Sequence, residues 1–133
     1  MFNYDNHSNI IRLEELERIF EEGTVMFRSG EGEPVRMWPL WSEENLSIAI
    51  VRSIIPAGVT FPAHVHEEKE FIICYEGLGS CTVLNDGEAE RLYPLAPGKM
   101  VVINPSQHHR ITAFEDLHVV AITIPASIVF LGE

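Results

Sequence analysis

The 133-residue sequence predicts one all-β domain, a sandwich or barrel of short strands, with a single short helix at its N-terminal end. Three observations lead there. Apolar residues recur at helical spacing in one place only, residues 13–22. After Gly23 the chain breaks into β-branched runs of four to ten residues, separated by Gly, Pro, Asn and Asp. The length fits one domain, with no linker and no internal repeat.

Leu13, Leu16, Ile19 and Phe20 fall on one helical stripe, and Gly23 follows where a helix end favours a left-handed residue. Residues 1–23 therefore read as an arm and helix, and 24–133 as the barrel. Residues 46–55 are strand-like and end at Pro56-Ala57-Gly58. Residues 71–75 and 80–84 flank Glu76-Gly77-Leu78-Gly79, which reads as a tight hairpin with Gly77 first in its turn. That hairpin would pair Cys74 with Cys81, both facing the interior as free thiols. Asn85-Asp86-Gly87 suggests a second hairpin leading into 88–93, and strands follow at 100–103, 117–124 and 128–131.

A hydrophobic fraction of 46% against 22% charged residues is enough to build a core. The net charge of −11, with nine scattered Lys and Arg, argues against nucleic acid, whose phosphates are gripped by basic residues. The polar N-terminus does not read as a signal peptide, and the apolar run at 119–131 is too short for a bilayer and broken by Pro125. Two cysteines without an export signal suggest thiols and a cytoplasmic location. The helix stripe and residues 128–131 exceed what a small barrel needs to cover itself, which predicts a homodimer.

The chemistry is concentrated between Gly58 and Gly77. His64 and His66 are two apart, so on a strand they share a face; Glu70 joins them if the chain stays extended or turns back beside them. Two imidazoles and a carboxylate on one face suit a first-row transition metal. A lone His-x-His in a charged turn is more often surface. Gly, His, His, Glu and Gly at this spacing arise by chance in roughly one chain in ten thousand, which rejects the surface reading. The segment resembles the first motif of the cupin superfamily, G-x5-H-x-H-x3-E-x6-G, at every fixed position. The stretch from Gly98 to His109 is similar to the second cupin motif, G-D-x4-P-P-G-x2-H, with Lys99, Asn104 and Ser106 departing from it.

The resemblance implies a double-stranded β-helix, or jelly-roll barrel, holding one divalent metal through His64, His66, Glu70 and His109. Fe, Mn, Ni, Zn, Co and Cu all tolerate that donor set, and two positions would stay open for water, O₂ or a chelating substrate. Strand parity supports His109 over His108, because Ile111 and Ala113 share its face while Arg110 and Thr112 share that of His108. His108 is then left at the pocket rim or in solvent. Arg52 shares parity with Ile50 and Ile54 and would face either the pocket or an edge. Arg52, Cys74 and His108 are candidate substrate contacts. His118, in an apolar strand, reads as structural, and Trp38 and Trp41 as a pocket mouth or the cover of a sheet or oligomer contact.

Two functions remain open on the sequence. One is a metalloenzyme of dioxygenase, isomerase or lyase type acting on a small oxygenated organic molecule. The other is a non-catalytic metal-dependent binding or sensing module; adventitious metal binding is a third. No general base stands beside the motif, and no output domain is attached.

Overall fold

A computed structural model describes residues 24–42, 48–65, 67–84 and 89–125, apart from the side chains of Pro39, Trp41 and Ser42. The ten described strands are β1 (Thr24–Phe27), β2 (Val35–Ser42), β3 (Ala49–Ile55), β4 (Thr60–His64), β5 (Lys69–Glu76), β6 (Gly79–Leu84), β7 (Arg91–Leu95), β8 (Met100–Ile103), β9 (His108–Ala113) and β10 (Leu117–Ile124). They form two antiparallel sheets, a six-stranded one in the order β1-β2-β3-β10-β5-β8 and a four-stranded one in the order β4-β9-β6-β7. This is the all-β jelly roll that the sequence predicts. The expected helix at 13–22, the strand at 128–131 and the Asn85-Asp86-Gly87 turn lie outside the described residues.

The two sheets enclose one apolar core. Val35, Ile55, Ile72, Leu117 and Val119 come from the larger sheet, and Phe61, Cys81, Val83, Leu95 and Ile111 from the smaller. Full burial of an aliphatic side chain contributes about 1.5–3 kcal/mol. Ile55, Ile72, Ile103, Leu95 and Leu117 are all fully buried, so the sheets are held together whatever binds between them.

β2 is a strand that sequence pattern does not reveal. Pro39 interrupts its Met-Trp-Pro-Leu-Trp run, and the ladder to β3 shifts register between Pro39 and Trp41. A bulge of this kind tolerates a residue without an N–H.

The predicted hairpin between Cys74 and Cys81 does not form. β5 pairs with β10 and β8, while β6 pairs with β7 and β9, so Gly77 and Leu78 carry the chain from one sheet to the other. Cys74 lies opposite Val119, and Cys81 opposite Tyr93 and Ile111. Gly77 is required at this crossing: its φ is +89°, and a Cβ would lie 2.1 Å from the Asp116 carbonyl oxygen. Both cysteines are nevertheless buried and free, as expected from their inward-facing positions.

Candidate metal centre

His64 ends β4 and pairs directly with His109 on β9, which brings their rings to 4.2 Å between centroids. Glu70 comes from β5 in the facing sheet. The first motif therefore does not lay its residues along one extended face. β4 and β5 lie in different sheets, so the carboxylate comes from the opposite wall. One potential ligand atom from each of His64, Glu70 and His109 lies within 4.8 Å of the others. His66 falls outside the described residues.

Alternation along β9 places His109 inside and His108 outside, with His109, Ile111 and Ala113 buried and His108 exposed. The second motif delivers His109 despite its substitutions. Ser106 occupies the place of the usual glycine with φ +67°, and its hydroxyl reaches both oxygens of Glu67 at 2.9 Å. The loop before His109 is thereby tied to the loop between His64 and Glu70.

The hydrogen bonds around the two imidazoles test whether the cluster suits a metal. His64 Nδ1 lies 2.9 Å from the Pro62 carbonyl, and His109 Nδ1 lies 3.2 Å from the Gln107 carbonyl. A carbonyl only accepts, so each Nδ1 carries the proton and each lone pair belongs to Nε2. His109 Nε2 then faces Glu70 Oε1 at 3.1 Å, one acceptor against another. A cation must lie between them, either a proton or a metal ion. Carbonyl groups that set the tautomer of ligating histidines are the usual support of such sites. The donor set fits a divalent transition metal.

Beside this cluster lies a cavity of about 60 Å³, walled by apolar residues that include Val35, Val51, Ile55, Phe61, Ile72 and Val119. His64 and Glu70 contribute to its lining, as do Ser53 and Thr123. Sequence reasoning missed these two hydroxyl residues. Ser53 and Thr123 sit in strands apolar on both faces, so alternation does not mark which side is lined.

The remaining candidates lie elsewhere. Arg52 is 8% exposed, yet it faces away from the cavity on β3, a strand in the interior of its sheet and not at an edge. Its guanidinium stacks over Trp38 at 5.1 Å, and its Nε donates to the Tyr75 hydroxyl. Its Nη2 reaches His118 Nδ1 at 3.4 Å, and His118 Nε2 is 3.6 Å from Glu76. Trp38 thus covers a sheet, and His118 is structural. Cys74 is buried in the core and is not among the residues lining the cavity. The side chain of Trp41 is not described. Burial pushes the Cys74 thiol up, and burial together with the Glu70 charge pushes Cys81 up to about 12.

Comparison with known proteins agrees with this geometry. The sequence profile of the Cupin domain family matches residues 51–125, more than half of the chain. L-ectoine synthase of Teredinibacter turnerae is 26% identical over 101 residues, covering 76% of this chain and 73% of that protein. The structure of a predicted oxalate decarboxylase from Thermotoga maritima superposes with a TM-score of 0.61 at 23% identity, over 70% of this chain and 82% of that one. KdgF from Halomonas sp. gives 0.60 at 18% identity, over 80% and 92%. At these identities the structural likenesses show the fold.

Proposed function

The chain belongs to the cupin family, and from that premise we propose that it is a metalloenzyme acting on a small oxygenated organic molecule, with His64, His66, Glu70 and His109 holding one divalent transition metal. The observation that carries this reading is the pair of facing acceptors, His109 Nε2 and Glu70 Oε1, beside an apolar cavity. A metal bound there supplies a Lewis acid that polarises an oxygen donor. The chain's own residues orient the donors through the carbonyls of Pro62 and Gln107, and the surrounding walls are mainly apolar. The relative named a synthase supports an enzyme over a passive binder.

One observation favours the second reading, a metal-dependent binding module. Among the described cavity residues, none besides His64 and Glu70 titrates, so no separate general base is at hand. The deciding experiment is metal analysis of tag-free protein. Turnover tests on catechols, flavonols, β-diketones and keto-sugars under air and under argon would follow. Bound metal with turnover supports the enzyme. Bound metal without turnover, but with saturable ligand binding, supports the module. Metal-free protein overturns both.

The chain is also proposed to pair with a second copy. The helix stripe and residues 128–131 lie outside the described residues, but the outer face of the larger sheet supports the same expectation. Phe71, Ile73, Val120 and Ile122 continue there into Met100, 54% exposed, and Val102, 38% exposed. Light scattering should give a mass of two chains at micromolar concentration, and a 15.0 kDa particle would remove the dimer. No described helix is long and apolar enough to cross a membrane.

A further inference from the structure

The cavity also limits what can enter it. Of the nine Lys and Arg, Arg12 and Arg18 lie outside the described residues, and none of the other seven lines the cavity. The most buried cation among the described residues, Arg52, is turned to the opposite face of β3 and engaged by Trp38, Tyr75 and His118. Among the described lining residues, Glu70 is the one carboxylate. Ser53 offers a hydroxyl whose partner is the Met26 sulfur at 3.8 Å, a weak acceptor that a ligand oxygen can displace. At ~10–15 Å³ of such space per water, 60 Å³ admits about four to six water-sized groups.

From these observations we infer that the cavity takes a small molecule with an apolar body and a single oxygen head, carrying at most one negative charge, and that it excludes dicarboxylates. The inference rests on the reading of His64, Glu70 and His109 as a metal site. A divalent ion together with Glu70 leaves one net positive charge. One anionic oxygen cancels it; a second carboxylate, even chelating the same ion, leaves a net negative charge against Val51, Ile55 and Val119 with no Lys or Arg among the described lining residues. The branched body of a ketone or monocarboxylate meets those same side chains favourably, and its oxygen head accepts from Ser53. Oxalate, the substrate in the name of one structural neighbour, is therefore the wrong ligand for this chain.

The test is calorimetric titration of the manganese-loaded protein with three probes of equal heavy-atom count: 3-methyl-2-butanone, isobutyrate and oxalate. Metal content is measured before and after each titration. In water oxalate chelates metal ions more tightly than isobutyrate does, so a reversed order on the protein reports the cavity. The expected result is that isobutyrate and the ketone bind while oxalate binds roughly tenfold more weakly or only strips the metal. Oxalate binding the loaded wild type as tightly as isobutyrate, or none of the three binding, would overturn the inference while the metal site stands. Failure of manganese to load would bring down the metal site and the inference together.

Discussion

The two faces of the larger sheet place their charge differently. On β3, Ser53 and its neighbours Val51 and Ile55 face the cavity, while Arg52, one residue away, stacks on Trp38 on the far side. On β10, Val119, Ala121 and Thr123 face inward, and His118 faces outward beside Arg52. The inner face carries donors for a cation and no Lys or Arg among the described residues. The outer face carries a guanidinium held by aromatic rings and a histidine. A guanidinium on the inner face would repel the metal, whereas on the outer face it supports Tyr75 and His118 at no cost to the site. The lesson is that burial alone does not mark a functional polar residue; the strand face decides.

The largest effect should come from emptying the inner face. Saturating metal at ~1,000 times its Kd adds about 4 kcal/mol, and a domain of this size shifts by about 3–5 °C per kcal/mol. Chelation should therefore lower Tm by roughly 10–20 °C. His109→Ala and Glu70→Gln should abolish that dependence, while His108→Ala, whose side chain is exposed, should keep it. Acid should release the metal, because an imidazole must be unprotonated at its ligating nitrogen to hold it. A His108 variant that loses metal while the His109 variant keeps it would invert the two faces of β9.

The outer face should respond in stability alone. Arg52→Met removes the stack on Trp38 and leaves the Tyr75 hydroxyl and His118 Nδ1 short of a donor, which should cost about 2–3 kcal/mol in urea unfolding. Lysine should not rescue it, because it lacks the planar fork. Metal affinity should be unchanged; a large loss in Arg52→Met would mean that the two faces are coupled.

The two thiols probe the core between the sheets. Cys81, pushed up to about 12, stays protonated in the folded state at pH values where the unfolded thiol, at its ordinary 9.0, has ionised. A raised folded value contributes stability that is full below about pH 9 and lost as pH climbs toward about 12. Cys74 shifts in the same direction through its burial. Both should resist alkylation in native protein at neutral pH and react on unfolding. Rapid native labelling of either would contradict its burial.

Much of this was legible in the sequence, and the failures share one cause. The glycine-bounded His-x-His-x3-Glu spacing singled out His64 and Glu70, which the structure brings together, and the alternation of β9 placed His109 inside with them, because one face is apolar and the other polar. In β3, Ala-Ile-Val-Arg-Ser-Ile-Ile is apolar on both faces, so parity grouped Arg52 with Ile50 and Ile54 without saying which way they point. The turn signal at Gly77-Leu78 has the same weakness. Its positive φ at Gly77 was foreseeable, but a two-residue turn does not reveal whether the next strand pairs or crosses to the facing sheet. The same blindness laid Glu70 beside the histidines when it stands opposite them. Local pattern fixes conformation; only the packing of two sheets fixes which wall a residue belongs to.

The smallest effect should come from the loop that joins the two walls. Ser106 holds φ +67° at the position where the second cupin motif has glycine, and its hydroxyl donates to Glu67. Replacing it with glycine removes about 1 kcal/mol of left-handed strain and also a hydrogen bond to a charged acceptor of about the same worth at an exposed site. The two changes oppose, so Ser106→Gly should leave stability within about 0.5 kcal/mol of wild type. Ser106→Ala keeps the strain and loses the bond, and should cost about 1 kcal/mol. It also frees Glu67 from the turn before His109, so metal should leave faster from Ser106→Ala than from wild type. Urea unfolding and the rate of metal transfer to a chelator read the two effects separately. If alanine proves as stable as glycine and releases metal no faster than wild type, the Glu67 contact does not brace the site, and the opposing walls are set by the sheets alone.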